Sequence, residues 1–128
     1  MNQERQKTVL IIDDDSNLRK VLVDKLSLSG FKVVGAGDGE EGLNKALEIH
    51  PDIILLDILM PKMDGWAVLG SLRSDEWGKN AKIIMLTAVE DAKAVAKAVE
   101  DGSFSYIIKT ENSMNEMIEK IEDVLGSN

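Results

Sequence analysis

The sequence predicts an α/β domain, built as a doubly wound, five-stranded parallel sheet with five helices. Five short apolar runs recur along the chain, at residues 9–12, 31–34, 53–56, 83–86 and 106–108. The segments between them carry apolar residues at helical spacing, and alternating strands and helices form parallel sheets covered on both faces. The 128 residues are enough for one domain of this kind and too few for two.

Composition excludes several classes of protein. A formal charge of −8 and the absence of a basic face argue against binding to DNA or RNA. The chain has no cysteine, which excludes disulfides and thiolate sites and fits a reducing compartment. Neither a membrane-spanning run of about 18 apolar residues nor the apolar core of a signal peptide is present. We therefore expect a cytoplasmic protein without membrane contact.

The first two strands are each followed by a clear helix signal. An acidic turn at residues 13–17 precedes a helix that Gly30 ends. Its expected inner face consists of Leu18, Val21, Leu22 and Leu26. Asp38 and Glu41 form a capping-box pattern that opens the second helix, whose apolar residues are Leu43, Ala46, Leu47 and Ile49. His50, the chain's single histidine, precedes a proline in a connection and is expected to be a surface residue.

The third strand lies between Pro51 and Pro61 and delivers Asp57 at its carboxyl end. A turn at residues 63–66 caps the third helix, and residues 77–80 are expected to form a loop. The inner face of that helix is expected to consist of Val68, Leu69 and Leu72.

The last two helices differ in character. The fourth, expected around residues 91–100, is rich in alanine, and its apolar face is expected to be only thinly covered. The fifth opens with a serine capping box at Ser113 and Glu116. Its apolar residues at helical spacing are Met117, Ile118, Ile121, Val124 and Leu125.

Polar side chains follow four of the five strands. They are Asp13, Asp14 and Asp15 after the first strand, Asp57 after the third, Thr87 after the fourth and Lys109 after the fifth. Parallel strands present their carboxyl ends at one edge, and right-handed crossovers place these four strands side by side. The side chains are therefore expected to converge.

Clustered carboxylates raise one another's pKa unless a cation is supplied. Oxygen ligands without histidine or cysteine select a hard cation, and Mg²⁺ is usual where phosphate oxygens are also held. Together with an ammonium group, a hydroxyl group and a carboxylate nucleophile, such a site has the components of phosphoryl transfer.

Each of these residues also has an ordinary structural explanation. The acids at 13–15 could simply cap the first helix, Thr87 could be a plain strand residue and Lys109 a solvated lysine. Tyr106 alone would be a half-buried aromatic residue. All four explanations must hold at once to exclude a site, so we favour the phosphoacceptor interpretation.

Five motifs occur in order: Asp13-Asp14 after an apolar strand, Asp57 followed by Met60-Pro61 and Met63-Asp64-Gly65, Thr87-Ala88, Asp101-Gly102, and Tyr106 three residues before Lys109. In these motifs the chain resembles the receiver domain of two-component response regulators, most closely the single-domain type similar to the chemotaxis response regulator. The resemblance implies a flavodoxin-like fold with strand order 2-1-3-4-5. The receiver domain would span residues 8–125, with short polar ends at 1–7 and 126–128.

The resemblance also implies roles for the site residues. Asp57 would accept a phosphoryl group from a histidine kinase or phosphotransfer protein. Mg²⁺ would be held by Asp13, Asp14, Asp57 and the backbone carbonyl of Leu59. Arg19 lies five residues after Asp14, the family's spacing, which leaves Asp15 outside the acid pair. Thr87 and Lys109 would contact the phosphoryl oxygens.

The same resemblance implies a switch. Tyr106 would turn inward as Thr87 moves, and this would reshape the surface formed by the fourth helix, fifth strand and fifth helix. That surface would control a downstream target protein, and it would also be the face of any weak dimer of this otherwise monomeric chain.

Two positions depart from the family pattern. The family usually has a proline after the lysine, joined by a cis peptide bond, whereas this chain has Thr110. A non-proline cis bond costs about 2.5–4 kcal/mol, so we expect a trans bond and a differently shaped loop. Leu59 and Val89 occupy the positions that flank the hydrolytic water in this family. Apolar side chains there predict a long-lived acyl phosphate.

Three competing functions are weighed against this one. A degenerate receiver could act as a phosphorylation-independent interaction module, but all five active-site residue types are retained. A phosphatase of the haloacid-dehalogenase type would need an acid two residues after the nucleophile, where Leu59 stands. A flavodoxin-like cofactor binder would need glycine and hydroxyl residues in the first loop, which is acidic here.

Overall fold

The computed structural model describes residues 6–88, 91–98, 104–109 and 113–126. The strands in this part of the chain are β1 (Thr8–Ile12), β2 (Lys32–Ala36), β3 (Ile53–Asp57), β4 (Ile83–Thr87) and β5 (Ser105–Ile108). The helices are α1 (Ser16–Leu28), α2 (Gly39–Ile49), α3 (Gly65–Arg73), α4 (Ala92–Ala98) and α5 (Met114–Leu125), with a short 3-10 helix at Gly78–Asn80. No helix in these ranges is long and apolar enough to cross a membrane.

The strands form one parallel sheet in the order β2-β1-β3-β4-β5, which confirms the predicted doubly wound, flavodoxin-like fold. The register places Ile12 beside Leu56, and Asp57 beside Leu86. The carboxyl ends of β1, β3 and β4 therefore lie at the same level, and the residues that follow them meet at one edge of the sheet.

The core has two layers because successive strand residues point to opposite faces of the sheet. One layer packs α2, α3 and α4 against the sheet through buried residues that include Leu10, Ile54, Met85, Ala46, Val68, Leu72 and Val95. The other layer packs α1 and α5 through Val9, Leu55, Leu86, Leu22, Leu26, Met117 and Ile121. Every residue of β3 and β4 is buried, which explains why their sequences are uninterrupted apolar runs ending in a polar residue.

Side chains cap the helices much as the sequence predicts. Ser113 and Glu116 form a complete capping box at α5. At α2, Asp38 accepts a hydrogen bond from the Glu41 amide at 2.8 Å, but the Glu41 carboxylate accepts one from the Gly37 amide, also at 2.8 Å. The second half of that predicted box therefore forms one residue earlier.

Two local expectations differ from the structure. Val21, assigned to the inner face of the first helix, is 45% exposed, because the stripe that contacts the sheet is narrower than the apolar stripe in the sequence. Residues 77–80 are not simply a loop, since the 3-10 helix forms there and Asp75 accepts hydrogen bonds from the amides of Trp77 and Gly78. The predicted end of α4 at residues 99–100 lies outside the described residues.

Candidate functional site

Three carboxylates converge at the carboxyl edge of the sheet. Asp13 and Asp14 follow β1, and Asp57 is the last residue of β3, the neighbour of β1. One carboxylate oxygen from each of the three residues lies within 4.8 Å of the others. Asp13 is fully buried, Asp57 is 5% exposed and Asp14 is exposed. The strand order thus brings together acids that are more than 40 residues apart in sequence.

The backbone around Asp13 is held from several directions. Its amide donates to the carbonyl of Ala36 at 3.1 Å, and its Oδ1 accepts from the Asp15 amide at 2.9 Å. Arg19 donates from Nη1 to the Asp13 carbonyl at 2.6 Å, and the stem of Arg19 lies against Gly35. Asp15 itself caps α1, with Oδ1 accepting from the amides two and three residues later. Of the three acids after β1, only Asp13 and Asp14 therefore belong to the cluster.

Lys109 supplies a cation to the cluster from the turn after β5. Its amide donates to the Thr87 carbonyl at 2.8 Å, which extends the β4–β5 pairing into the turn. Its Nζ lies 3.1 Å from Asp57 Oδ1 and 3.2 Å from Asp13 Oδ2. The ammonium thus reaches the site although the family's proline is missing; the bond from Lys109 to Thr110 lies outside the described residues.

Three of the remaining predicted site residues lie in the described part of the chain. Thr87 is buried at the end of β4, and its hydroxyl donates to the Ala88 carbonyl at 3.1 Å. Tyr106 pairs with Met85 in register and is partly buried against the α2–α3 layer of the core. Leu59 is 66% exposed in the loop after β3. Val89 and the Asp101-Gly102 motif lie outside the described residues.

Burial and charge shift the titration of two groups. Burial, followed by the neighbouring charge of Asp13, raises the pKa of Asp57 to about 6, although Lys109 acts in the opposite direction. Burial alone would lower the pKa of Lys109, but the carboxylates of Asp13 and Asp57 outweigh it, so that pKa is raised. The lysine therefore stays charged, and its ammonium contacts two of the three acids, Asp13 and Asp57.

The donor set fits a hard divalent cation. Asp13 Oδ2 is buried and makes no hydrogen bond among the described residues; its one cationic neighbour is the Lys109 ammonium. Such an oxygen has lost its hydration without a full replacement, a state that a metal ion relieves. The cluster offers oxygen ligands only, which is the preference of Mg²⁺. Asp13, Asp14 and Asp57 could hold such an ion.

A cleft of about 270 Å³ opens above these acids. Its walls include Asp57, Leu59, Ala88 and Lys109. This space is ample for a phosphoryl group attached to Asp57. A larger cleft of about 360 Å³ lies near His50 and Trp77, whose rings stack at 4.4 Å, but the described residues form no acid cluster there. His50 is exposed, as predicted.

Comparison with known proteins agrees with this geometry. Residues 9–122 match the family model of the response regulator receiver domain. The chain belongs to this family. As a receiver domain, it is 42% identical over 106 residues to the "probable transcriptional regulator ycf27" of Guillardia theta. That alignment covers 83% of this chain and 41% of the relative, so the chain spans about two fifths of that protein's length.

Solved structures of receiver domains superpose closely on this one. The chemotaxis protein CheY4 of Vibrio cholerae matches with a TM-score of 0.81 and 29% identity, over 94% of this chain and 99% of that one. The response regulator TrrA of Thermotoga maritima, solved in complex with Mg²⁺ and BeF, matches with a TM-score of 0.79 and 32% identity, over 93% of this chain and 99% of that one.

Proposed function

We propose that this receiver domain is a phosphoacceptor switch in a two-component phosphorelay, with Asp57 as the residue that is phosphorylated. One observation carries the proposal: the Asp57 carboxylate is buried at the end of β3, in contact with Lys109 and within reach of Asp13 and Asp14. A lone carboxylate at that place would be a poor structural element, because its burial disfavours the charged form.

The chemical step is a transfer between two nucleophiles. An oxygen of the Asp57 carboxylate attacks the phosphorus of a phosphohistidine on a histidine kinase or phosphotransfer protein. A new P–O bond forms as the P–N bond breaks, and the histidine, which carries a proton on its other ring nitrogen, leaves with the bonding electron pair as a neutral imidazole. The product is an acyl phosphate. In this sense the domain assists its own modification and is not an enzyme acting on a separate substrate.

The residues around Asp57 supply charge and orientation for this step. Asp13, Asp14, Asp57 and the backbone carbonyl of Leu59 would hold Mg²⁺, which neutralises the negative charge of the carboxylates and of the incoming phosphoryl group. The Lys109 ammonium forms ion pairs with Asp13 and Asp57, and from this position it could pair with a phosphoryl oxygen. Phosphoryl transfer depends mostly on such positioning and neutralisation.

The change at the target-binding surface would arise from movements of Thr87 and Tyr106. The Thr87 hydroxyl donates to the Ala88 carbonyl in this structure, and after phosphorylation it would donate to a phosphoryl oxygen instead. The partly buried Tyr106 would follow it inward. This movement would change the α4–β5–α5 surface and its affinity for a target protein. The charge of −8 and the motifs support protein partners over nucleic acid.

The test is the intact mass of the protein after incubation with Mg²⁺ and acetyl phosphate, alongside Asp57→Ala. We expect one added phosphoryl group in the wild type, none without the metal and none in the variant. Wild-type protein that gains no mass, and whose melting temperature Mg²⁺ does not raise, would contradict the proposal. The domain would then act as a phosphorylation-independent interaction module.

A further inference from the structure

The loop between β3 and α3, residues 58–64, carries the Leu59 carbonyl and has a tightly defined shape. Its ends are joined by the Gly65 amide, which donates to the Ile58 carbonyl at 2.7 Å. Near its tip the Met63 amide donates to the Pro61 carbonyl at 2.7 Å, around Lys62 at φ 69°. A non-glycine residue rarely adopts this left-handed conformation, so the surroundings must hold the turn in place.

Gly39, the first residue of α2, packs closely against this loop. A Cβ added at Gly39 would lie 2.0 Å from the Met63 carbonyl oxygen and 2.9 Å from its carbon. Gly39 does not have a positive φ, so its backbone would accept alanine, and only this close approach requires glycine. Beside it, Asp38 Oδ2 lies 3.6 Å from Lys62 Nζ. Two neighbouring residues of the β2–α2 junction thus contact the tip of the loop.

We propose that Gly39 is a positioning residue for the metal site: by contact with the Met63 carbonyl, it fixes the loop that presents the Leu59 carbonyl and so sets the affinity for Mg²⁺. This inference rests on the proposed function, which makes that carbonyl a ligand. Asp38 assists by holding Lys62.

The physical link is the geometric demand of the ion. Mg²⁺ requires nearly ideal octahedral coordination, so a displaced ligand is effectively lost. Alanine at position 39 would force the Met63 carbonyl oxygen to move by about 1.4 Å before an ordinary contact distance is reached. The hydrogen bond from the Met63 amide to the Pro61 carbonyl and the one from the Gly65 amide to the Ile58 carbonyl keep the loop short and closed. A movement of Met63 is therefore transmitted toward Leu59.

The experiment is a calorimetric Mg²⁺ titration of the unphosphorylated wild type, Gly39→Ala and the control Gly70→Ala. Gly70 lies on the exposed face of α3 with no atom within 4 Å of an added Cβ. We expect Gly39→Ala to bind Mg²⁺ about ten-fold more weakly, in line with the loss of other groups that orient ligands. Gly70→Ala should bind like the wild type. With acetyl phosphate, Gly39→Ala should need more Mg²⁺ for half-maximal rate, with little change at saturating Mg²⁺.

Two outcomes are decisive and distinct. A wild type that does not bind Mg²⁺ contradicts the proposed function itself. A wild type that binds, with a folded Gly39→Ala that binds equally well, overturns the role of Gly39.

Asp38→Asn is a second variant for the case in which Gly39→Ala does not fold. Asparagine caps helices as well as aspartate does, so this change removes only the charge next to Lys62. Glu40→Gln, an exposed residue of the same helical turn, is the matched control for lost charge. At low ionic strength we expect Asp38→Asn to weaken Mg²⁺ binding about two-fold relative to Glu40→Gln. Equal affinities of these two variants would contradict the proposal.

Discussion

At the scale of single residues, Asp57 contributes a distinct pH dependence of stability. Its pKa of about 6 exceeds the ordinary value of 3.8 mainly because the group is buried, so between these values the folded state binds more protons than the unfolded state. Asp57 therefore weakens the metal-free fold as pH rises from about 4 through 6. We expect Asp57→Asn to stabilise the metal-free protein by about 1–3 kcal/mol at pH 7.5, a gain that shrinks to nothing near pH 4.

Thermal unfolding in chelator across this pH range measures the effect. Asp24→Asn, at an exposed position of α1, controls for the change in net charge. A stabilisation of Asp57→Asn that did not change with pH would rule out the titration of Asp57 as its cause.

The second prediction at this scale concerns the lifetime of the acyl phosphate. Leu59 is exposed beside Asp57 and offers no hydrogen bond to a water molecule. Leu59→Asn combined with Val89→Glu should orient the attacking water and shorten the lifetime about ten-fold, the effect of one hydrogen bond of about 1.4 kcal/mol. Decay of intact phosphoprotein mass after removal of the donor measures it, with Leu28→Asn at an exposed site as control. Rapid decay of the wild type would already contradict the prediction.

At the scale of elements, two helical glycines should respond oppositely to alanine. A Cβ at Gly42 in α2 would lie 2.5–2.6 Å from three carbons of the buried Ile12 side chain, so Gly42→Ala should cost about 1–3 kcal/mol by overpacking. Gly70 in α3 has open space, and Gly70→Ala should stabilise by about 0.5–1 kcal/mol because alanine favours helix. Urea unfolding measures both. A Gly42→Ala protein as stable as the wild type would mean that α2 can move away from β1.

The elements also show what sequence reasoning can and cannot reach. Capping residues and apolar periods are local, so helix starts such as Ser113 could be predicted from the sequence. The width of a buried stripe depends on the neighbouring elements, which is why Val21 was wrongly placed inside. The contact of Gly39 with Met63 joins the start of α2 to the β3–α3 loop, which is distant in sequence, and no local pattern encodes it.

At the scale of the whole molecule, the sheet should unfold from its edges inward. β3 is buried along its whole length in the middle of the sheet, whereas β2 is an edge strand with Lys32 exposed. In native-state hydrogen exchange we expect the amides of Ile54–Leu56 to open only with global unfolding. Those of β2 should open at lower free energy. Faster exchange in β3 than in β2 would contradict this order.

The convergence of the site could also be predicted at this scale. Alternating strands and helices predict a parallel sheet, and with the strand order that the family resemblance implies, the ends of β1, β3, β4 and β5 lie side by side, so Asp13, Asp57 and Lys109 come together. Their ionisation could not be predicted in the same way. It depends on the degree of burial and on distances of a few ångströms, which the order of residues does not specify.

The hydrogen bond from Thr87 to the Ala88 carbonyl has a consequence for signalling noise. If this bond is what the hydroxyl gives up in switching, the resting state is favoured by only about 1 kcal/mol, and roughly one unphosphorylated molecule in six holds the hydroxyl free. The regulator would then transmit a basal output without any stimulus. Its dynamic range would be set by how strongly the acyl phosphate shifts an equilibrium that already contains both forms.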